Sequence, residues 1–401
     1  MIKNSKVYKE VNKWKIPLHI SRSYLAKSYL QLLPNIEIIG ITGSVGKTLT
    51  QNAIYSVLSQ KFKTIVGDED LDPTFRIPQT ILAAKPWHQK MVLEYGVEHP
   101  GDMDHYLTLV KPKIAVITTI SPTHTKYLGD TSGVFNEKVK LIKSLPKNGQ
   151  AVLNADDPLC LKMADQTQAK IWWYGKKAKD GIKISHFSQN LRNSQFRLHY
   201  RGQKATVRWK IIGQHQLLSA YAAATVGIIC GLTLKQIAKG LSITKPPAHR
   251  LNAIVTKHLN IIDDTYNASP KAAIESLKTL VLLGIGKKKI AVFGEMKDLG
   301  SLSKEAHTKL GEQIARSKIN YLLTIGKIAS LIAQAAKKAK FKGKIINVGN
   351  TSEALKELKK LTNHKTLVLI KGSRHGHLER IVQGLMHKST TINCYHCGIL
   401  R

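Results

Sequence analysis

The stretch Gly40-Ile41-Thr42-Gly43-Ser44-Val45-Gly46-Lys47-Thr48 follows an apolar run at residues 36–39 and precedes a helix-like segment. Glycines in such a strand–loop–helix turn let backbone N–H groups point at phosphate oxygens. The lysine adds a mobile positive charge, and the final threonine hydroxyl is suited to ligating magnesium. The sequence therefore predicts a nucleotide-binding loop whose phosphate-binding residues are Gly43, Ser44, Val45, Gly46, Lys47 and Thr48.

The spacing of this loop departs from the general P-loop pattern. Gly40 stands six positions before Gly46, whereas the general pattern places its first glycine five positions before the second. A plain glycine-rich turn is the alternative interpretation, and the Gly-Lys-Thr ending in a strand–loop–helix context disfavours it.

The length and composition of the chain predict a globular protein of two or three domains. It has 401 residues, of which 43% are hydrophobic. No uninterrupted apolar stretch approaches the roughly 20 residues of a membrane-spanning helix, and no signal-peptide core is present. Four unevenly spaced cysteines do not form a disulfide framework. We therefore expect a cytoplasmic protein.

The net charge is unusual, because 62 Lys and Arg residues against 26 Asp and Glu residues give +36. Such a charge predicts attraction to polyanions. Lysines are spread along most helices and no nucleic-acid module is present, so we interpret the charge mainly as solvated surface and disfavour a nucleic-acid partner. Residues 1–35 are also basic. They are expected to form a helix packed on the first domain, or alternatively to lie peripherally on an anionic membrane surface.

Strand-like and helix-like segments alternate from residue 36 onward, which predicts an α/β fold. We expect a basic N-terminal segment at 1–35, a central ATP-binding P-loop domain with a mostly parallel sheet at 36–246, a smaller C-terminal Rossmann-like domain at 247–388, and a tail at 389–401. An antiparallel hairpin is predicted to turn at Arg201-Gly202. The predicted strands of the two larger domains lie at 36–39, 91–95, 114–120, 151–154, 260–263, 290–293, 321–325, 345–348 and 366–370.

Several polar residues follow predicted strands, at the sheet edge where α/β proteins place their ligands. Glu94 ends one strand, where its carboxylate is suited to holding magnesium. His124 follows another, although a lone loop histidine is weak evidence. Lys138 would by composition be one more solvated helix lysine. The Cys394 and Cys397 pair has metal-like spacing but lacks a second pair, so it is interpreted as a tail feature.

Taken together, these motifs resemble the Mur ligase family, and within it the MurF group, over roughly residues 36–385. Their order carries the resemblance more than any single motif does. The matching segments are the loop at 40–48, Glu94-Tyr95-Gly96, residues 120–124 with His124, Lys138, Asn154-Ala155-Asp156-Asp157, residues 263–270, residues 294–300 with His307, and Lys371-Gly372-Ser373-Arg374.

The resemblance implies ATP and two Mg²⁺ ions as cofactors. Lys47, His124 and Lys138 are the implied catalytic residues. Thr48 and Glu94 are implied to hold one ion, and His124 and a carbamylated Lys138 to help hold the second.

Further residues carry less specific signals. Asn267 is the candidate for adenine recognition, with a turn-stabilising asparagine as the alternative. Arg250 is a candidate for reaching a cofactor phosphate, with an ordinary surface arginine as the alternative. Lys371 and Arg374 are candidates for binding an anionic peptide substrate, although helix capping around Ser373 explains part of that motif.

The implied activity is ATP-dependent amide-bond formation through an acyl phosphate, adding D-Ala-D-Ala to UDP-MurNAc-tripeptide during peptidoglycan synthesis in the bacterial cytoplasm. The expected enzyme is a monomer acting on these small molecules. Two departures concern the substrate: only some 35 residues stand where the family carries a UDP-binding domain, and residues 70–80 replace an asparagine-rich segment. A cyanophycin-synthetase or folylpolyglutamate-synthase type of ligase therefore stays open, as does a nucleic-acid-stimulated P-loop ATPase.

Overall fold

The computed structural model describes residues 15–67, 72–394 and 398–400. The chain divides into two compact units. The first comprises Met1–Ser188, Gln195–Lys210 and Gln216–Lys245, and the second comprises Gln189–Ser194, Ile211–His215 and Pro246–Arg401. In the described ranges, no helix is both long and apolar enough to cross a bilayer.

The first unit is built on a six-stranded parallel sheet in the order β2-β3-β1-β4-β5-β6. Its strands are β1 Glu37–Thr42, β2 Thr64–Val66, β3 Lys90–Glu94, β4 Ile114–Ile117, β5 Gln150–Asn154 and β6 Lys170–Tyr174. Its helices are α1 Ile16–Gln31, α2 Lys47–Leu58, α3 Pro73–Ala83, α4 Asp102–Leu109, α5 Thr125–Leu128, α6 Thr131–Lys143, α7 Pro158–Lys162, α8 Leu217–Ile229 and α9 Leu234–Ser242.

The central strands of this sheet are mostly apolar between their ends because helices cover both faces. In β1, every residue from Ile38 to Thr42 is buried. A separate three-stranded sheet, β7 Lys183–Gln189, β8 Ser194–Tyr200 and β9 Gln203–Trp209, contains the predicted hairpin, and its turn at Arg201-Gly202 is confirmed.

Helix α1 packs against the rest of the first unit, as expected if the basic segment forms a helix packed on the first domain. Ser23 and Ala26 are buried, the His19 ring lies 4.5 Å from the Phe75 ring, and the Tyr29 hydroxyl donates to the Ala84 carbonyl at 2.7 Å. One face of the helix is thereby fixed to α3 and the loop that follows it.

The second unit contains a mixed six-stranded sheet in the order β10-β11-β15-β12-β13-β14. Its strands are β10 Asn252–Val255, β11 Asn260–Asp264, β12 Lys288–Phe293, β13 Tyr321–Ile325, β14 Lys344–Val348 and β15 Thr366–Lys371. Its helices are α10 Pro270–Leu283, α11 Ser303–Ala315, α12 Ser330–Lys338, α13 Thr351–Leu361 and α14 Glu379–Leu385, and a final pair of short strands follows, β16 Ile392–Cys394 and β17 Gly398–Leu400.

Two apolar clusters cover the two faces of this sheet. One contains Leu277, Leu310 and Ile332 from α10, α11 and α12, and the other contains Leu358 and Ile381 from α13 and α14. The α/β fold with a smaller second domain is therefore confirmed. The sequence analysis missed β10, the antiparallel strand at the sheet edge, because its four residues are too short for a clear period.

Gly240 in α9 shows how closely the helices of the first unit pack. A Cβ atom at this position would lie 2.5 Å from the Val57 Cα atom of α2. An alanine in a helix ordinarily stabilises relative to glycine. At Gly240 the collision of the added methyl group with the α2 backbone should make alanine destabilising instead.

We therefore expect Gly240→Ala to lower the free energy of unfolding of the first unit by about 1–3 kcal/mol, the usual cost of overpacking. Urea unfolding of the purified protein measures it. Ser352→Ala, at an exposed position of α13, is the control and should change stability by less than about 0.5 kcal/mol. A neutral or stabilising Gly240→Ala would contradict the packing.

Candidate active site

The loop at residues 43–46 lies where β1 ends and α2 begins. Gly46 caps α2 with φ 85°, and Gly43 has φ 146°. A side chain on Gly43 would collide with the Thr118 side chain, so only glycine fits there. The first turn of α2 leaves its backbone N–H groups directed out of the helix end, which is the arrangement that binds phosphate.

Hydrogen bonds hold this loop to the segment that follows β4. The Ser44 amide donates to the Thr119 carbonyl at 2.7 Å, and the Ser44 hydroxyl donates to the Ser121 carbonyl at 2.8 Å. The Thr118 hydroxyl donates to the Val45 carbonyl at 2.7 Å. The loop is therefore preorganised, and binding a phosphate there need not order it.

Thr48 and Glu94 meet at this sheet edge because β3 pairs with β1 in parallel. The Thr48 hydroxyl donates to Glu94 Oε2 at 2.9 Å, and both residues are buried. Arg76 Nη1 lies 3.5 Å from the same oxygen. A hydroxyl and a carboxylate oxygen are the hard donors that Mg²⁺ prefers, so this pair fits a magnesium site completed by substrate phosphates.

His124 lies after β4 in a left-handed backbone conformation, φ 54°. Its Nε2 is 4.0 Å from Glu98 Oε1. Burial first, and then the charges of Lys47 and Lys138, lower the pKa of His124 to about 3. The imidazole is therefore neutral at physiological pH, the form that ligates metals.

Lys138 lies on α6 and is 1% exposed, so it is not the solvated lysine that composition alone suggested. Burial and then the charge of Lys47 hold its pKa well below the ordinary value, against the opposing charges of Glu94, Glu137 and Asp102. A lowered pKa increases the neutral amine, the form that reacts with CO₂. The charge of Lys138 in turn acts on His124, so the two groups lie within electrostatic range of each other.

The Asn154-Ala155-Asp156-Asp157 motif supports the same region. Asn154 Nδ2 donates to the Thr118 carbonyl at 2.7 Å, and Asp157 Oδ2 accepts from the Ile120 amide at 2.9 Å. Both side chains are buried. The motif therefore fixes the segment that holds Ser44.

Within the part of the chain that the structure describes, no cluster of three or more His, Cys, Asp or Glu side chains is placed to hold a metal ion. Protein ligands alone thus do not build a closed cage there, as is usual for Mg²⁺ bound with substrate phosphates.

A second group of the predicted residues lies in the second unit, where β11 and β15 end side by side. Lys371 is 1% exposed; its Nζ donates to Asp264 Oδ2 at 2.6 Å and to the Asn267 carbonyl at 2.9 Å. Ser276 donates to the same Asp264 oxygen at 2.5 Å. The Lys371 ammonium therefore holds the turn at Asn267, and its contact with substrate stays a prediction.

Tyr266 lies between the other two predicted cations of this unit. The Arg250 guanidinium is 3.9 Å from the ring centroid and the Arg374 guanidinium 5.5 Å. Arg374 also pairs with Glu379 at 3.7 Å. The aromatic ring orients both guanidinium groups, and Arg374 keeps about a third of its side chain exposed, so it is accessible to an anion.

Asn267 is exposed, and its side-chain oxygen accepts a hydrogen bond from the Ala268 amide at 2.8 Å. This is the turn-stabilising bond that was the alternative interpretation. The amide nitrogen of Asn267 is therefore the group that remains for adenine recognition.

Two residues that pair with a carboxylate in the structure were not singled out from the sequence. Arg76 pairs with Glu94 but stands in the segment interpreted only as a departure from the family pattern. His249 Nδ1 lies 2.7 Å from Asp263 Oδ2, beside Arg250. The available signal for His249 was its place directly before Arg250, the candidate for reaching a cofactor phosphate.

The sequence comparisons agree with this geometry. Residues 41–227 match the Mur ligase middle domain, and residues 249–374 match the Mur ligase glutamate ligase domain. A UDP-N-acetylmuramoyl-tripeptide–D-alanyl-D-alanine ligase of Bacillus subtilis is 34% identical over 90% of this chain and 78% of the relative. The chain belongs to the Mur ligase family.

Other members of the Mur ligase family support the same assignment. The ligase of that name from Buchnera aphidicola subsp. Baizongia pistaciae is 32% identical over 90% of this chain and 77% of the relative. MurF from Acinetobacter baumannii superposes with a TM-score of 0.84 at 26% identity, covering 92% of this chain and 81% of that one. MurF ligase from Thermotoga maritima in complex with ADP superposes with a TM-score of 0.80 at 27% identity, covering 91% of this chain and 82% of that one.

The pairing of His249 with Asp263 predicts a pH-dependent stability. The hydrogen bond to Asp263 raises the pKa of His249. His249 therefore binds a proton more tightly in the folded protein than in the unfolded chain. The stability that this adds is fully present at pH values below the unfolded-state pKa, near 6.5, and it is lost as the pH rises through the folded-state pKa.

His249→Gln should therefore lower the melting temperature more at pH 5.5 than at pH 8.5. Thermal unfolding at the two pH values measures the difference, and His258→Gln, at an exposed position of the same unit, is the control. An equal loss at both pH values would show that the ion pair does not form.

Proposed function

We propose that this Mur ligase adds D-alanyl-D-alanine to a UDP-N-acetylmuramoyl-tripeptide, using ATP, in the bacterial cytoplasm. The curated relatives at 34% and 32% identity bear this name. One observation of the structure carries the proposal: a phosphate loop and the Thr48–Glu94 oxygen pair lie at the same edge of one sheet, within electrostatic range of the buried Lys138.

The reaction proceeds in two displacements. A carboxylate oxygen of the tripeptide bonds to the γ-phosphorus of ATP, and the bond from that phosphorus to ADP breaks. The amine of D-alanyl-D-alanine then bonds to the acyl carbon and releases one proton as it becomes an amide, and phosphate leaves with the electron pair of the broken C–O bond. Negative charge develops on the phosphoryl oxygens in the first step, and Lys47 with the loop amides would stabilise it.

Magnesium supplies further positive charge to the phosphates when bound. Thr48 and Glu94 would hold one ion. His124, neutral because of its lowered pKa, and Lys138 as a carbamate would contribute to a second. Carbamylation converts an amine that cannot ligate Mg²⁺ into an anionic oxygen donor.

In the second unit, Asn267 and Arg250 would bind the nucleotide, and Arg374 would bind an anionic group of the peptide substrate. The partly exposed guanidinium over the Tyr266 ring supports Arg374 in this role, whereas buried Lys371 would position the Asn267 turn. We propose a monomer as the active form. The nucleic-acid-stimulated ATPase gains no support from the site geometry. The folylpolyglutamate synthase of Mycobacterium tuberculosis, with a TM-score of 0.71 at 15% identity, shares the fold alone.

Phosphate release from ATP tests the reaction directly. We expect release to require both UDP-N-acetylmuramoyl-tripeptide and D-alanyl-D-alanine, with omission of either lowering the rate to background. Parallel reactions replace the dipeptide with glutamate or add DNA or RNA. Stimulation by glutamate would favour the other ligase type, and stimulation by nucleic acid alone would reject the proposal.

Lys138→Ala should lower kcat on the order of 10²–10³-fold, the usual effect of removing one group that stabilises transition-state charge. ADP binding, measured by calorimetry, should change little because the phosphate loop is intact. Lys143→Ala, at an exposed position of the same helix, is the control. A carbamate carbon signal in ¹³C NMR after exposure to labelled bicarbonate should be present in the wild type and lost in Lys138→Ala. Near-normal turnover, or an unchanged signal, would refute the role of Lys138.

A further inference from the structure

The outward face of α1 carries a row of exposed leucines. Leu18 is 57% exposed, Leu25 63% and Leu32 72%. Residues seven apart lie on the same side of a helix, about 10 Å from one to the next. Leu32 directly follows the last residue of α1, so the row runs the length of the helix.

An exposed tryptophan stands in the loop to which α1 is hydrogen-bonded. Trp87 is 65% exposed and follows α3 in the loop that contains Ala84. Tyr29, which stands between Leu25 and Leu32 in the sequence, donates its hydroxyl hydrogen bond to the Ala84 carbonyl. The bond therefore holds the loop that contains Trp87 to α1. Because α1 is anchored by Tyr29, His19 and Ala26, this apolar surface is preformed.

The charged residues of the two segments that build this surface are all basic. Neither residues 15–36 nor residues 73–89, the two segments that build the surface, contain an Asp or Glu. Lys15, Lys27 and Lys85 are exposed there. The pKa of His19 is lowered by burial and then by the charges of Arg22 and Lys15, which is consistent with a positive local potential.

We propose that this surface is a docking site for an anionic lipid membrane. We call it the α1 surface, and define it by Leu18, Leu25, Leu32 and Trp87 with Lys15, Lys27 and Lys85. Leucine and tryptophan side chains enter the boundary between headgroups and acyl chains, while lysine ammonium groups reach the lipid phosphates.

The spacing of the leucines favours a membrane over a partner helix. A helix that packs on another helix needs apolar residues alternately three and four positions apart. Between the leucines of the α1 surface, those intermediate positions are Ser21, Arg22, Ser28 and Tyr29. Tyr29 is already engaged with Ala84, so no continuous apolar seam is present for a helix to fill.

Vesicle binding by the full chain tests the proposal. Co-sedimentation would compare phosphatidylcholine vesicles with vesicles containing about 30 mol% phosphatidylglycerol, at roughly 150 mM NaCl, a concentration that screens diffuse charge attraction. We expect at least about tenfold stronger binding to the anionic vesicles. Equal binding to both vesicle types, or none, would overturn the proposal.

The leucines separate specific docking from the general attraction of a +36 protein. The variant Leu18→Ser/Leu25→Ser/Leu32→Ser keeps every lysine and should lose about tenfold in vesicle affinity. The matched control is Leu282→Ser/Ile285→Ser, two exposed apolar residues of the second unit, which should bind like the wild type. Circular dichroism and turnover of soluble substrates check that both variants are folded. Because turnover and vesicle binding are measured separately, failure of the proposed ligase activity is distinguished from failure of the proposed docking site.

Trp87 provides an independent readout. Its fluorescence should shift to shorter wavelength on binding anionic vesicles, and Trp87→Phe should abolish that shift. Size-exclusion chromatography without lipid is the counter-test. If the wild type associates with itself, or with a co-purified protein, and the triple leucine variant does not, the α1 surface is a protein interface and the membrane assignment is wrong.

Discussion

The parallel pairing of β3, β1 and β4 is the constraint on which the first-unit site depends. Because all three strands run in one direction, their carboxyl ends open at a single edge of the sheet. That edge receives the phosphate loop from β1, Glu94 from β3 and the Ser44-binding segment from β4. Residues far apart in the sequence are thus held in register by backbone hydrogen bonds, and the side chains need only complete the chemistry.

Burial then sets the chemical state of the side chains at that edge. A lysine and a histidine that are buried lose the hydration that favours their charged forms. The charge of Lys47 adds to the effect on both Lys138 and His124. A solvated lysine at the same point of α6 would stay protonated, so the depth of Lys138 within the fold is what favours its neutral amine.

The sequence allowed much of this to be predicted, for identifiable physical reasons. Long apolar strands and the loop at 40–48 are local signals, so the α/β order and the position of the phosphate site followed from them. Burial of Lys138 and Lys371, and the pairing of Arg76 with Glu94, depend on packing between segments that a linear reading does not bring together. By charge pattern alone Lys138, Lys371 and Arg76 look like surface cations. Family resemblance supplied the interest in Lys138, and nothing comparable drew attention to Arg76.

The ion pair of Lys371 and Asp264 has a consequence for how this protein can change over generations. Removing one member of a buried pair leaves an uncompensated charge and costs about 3–5 kcal/mol, a large share of the stability of an ordinary domain. Replacing both members together would avoid that cost, but single nucleotide changes rarely achieve it. Drift at these two positions is therefore blocked by the unstable intermediate, even where the final pair of replacements would be tolerated.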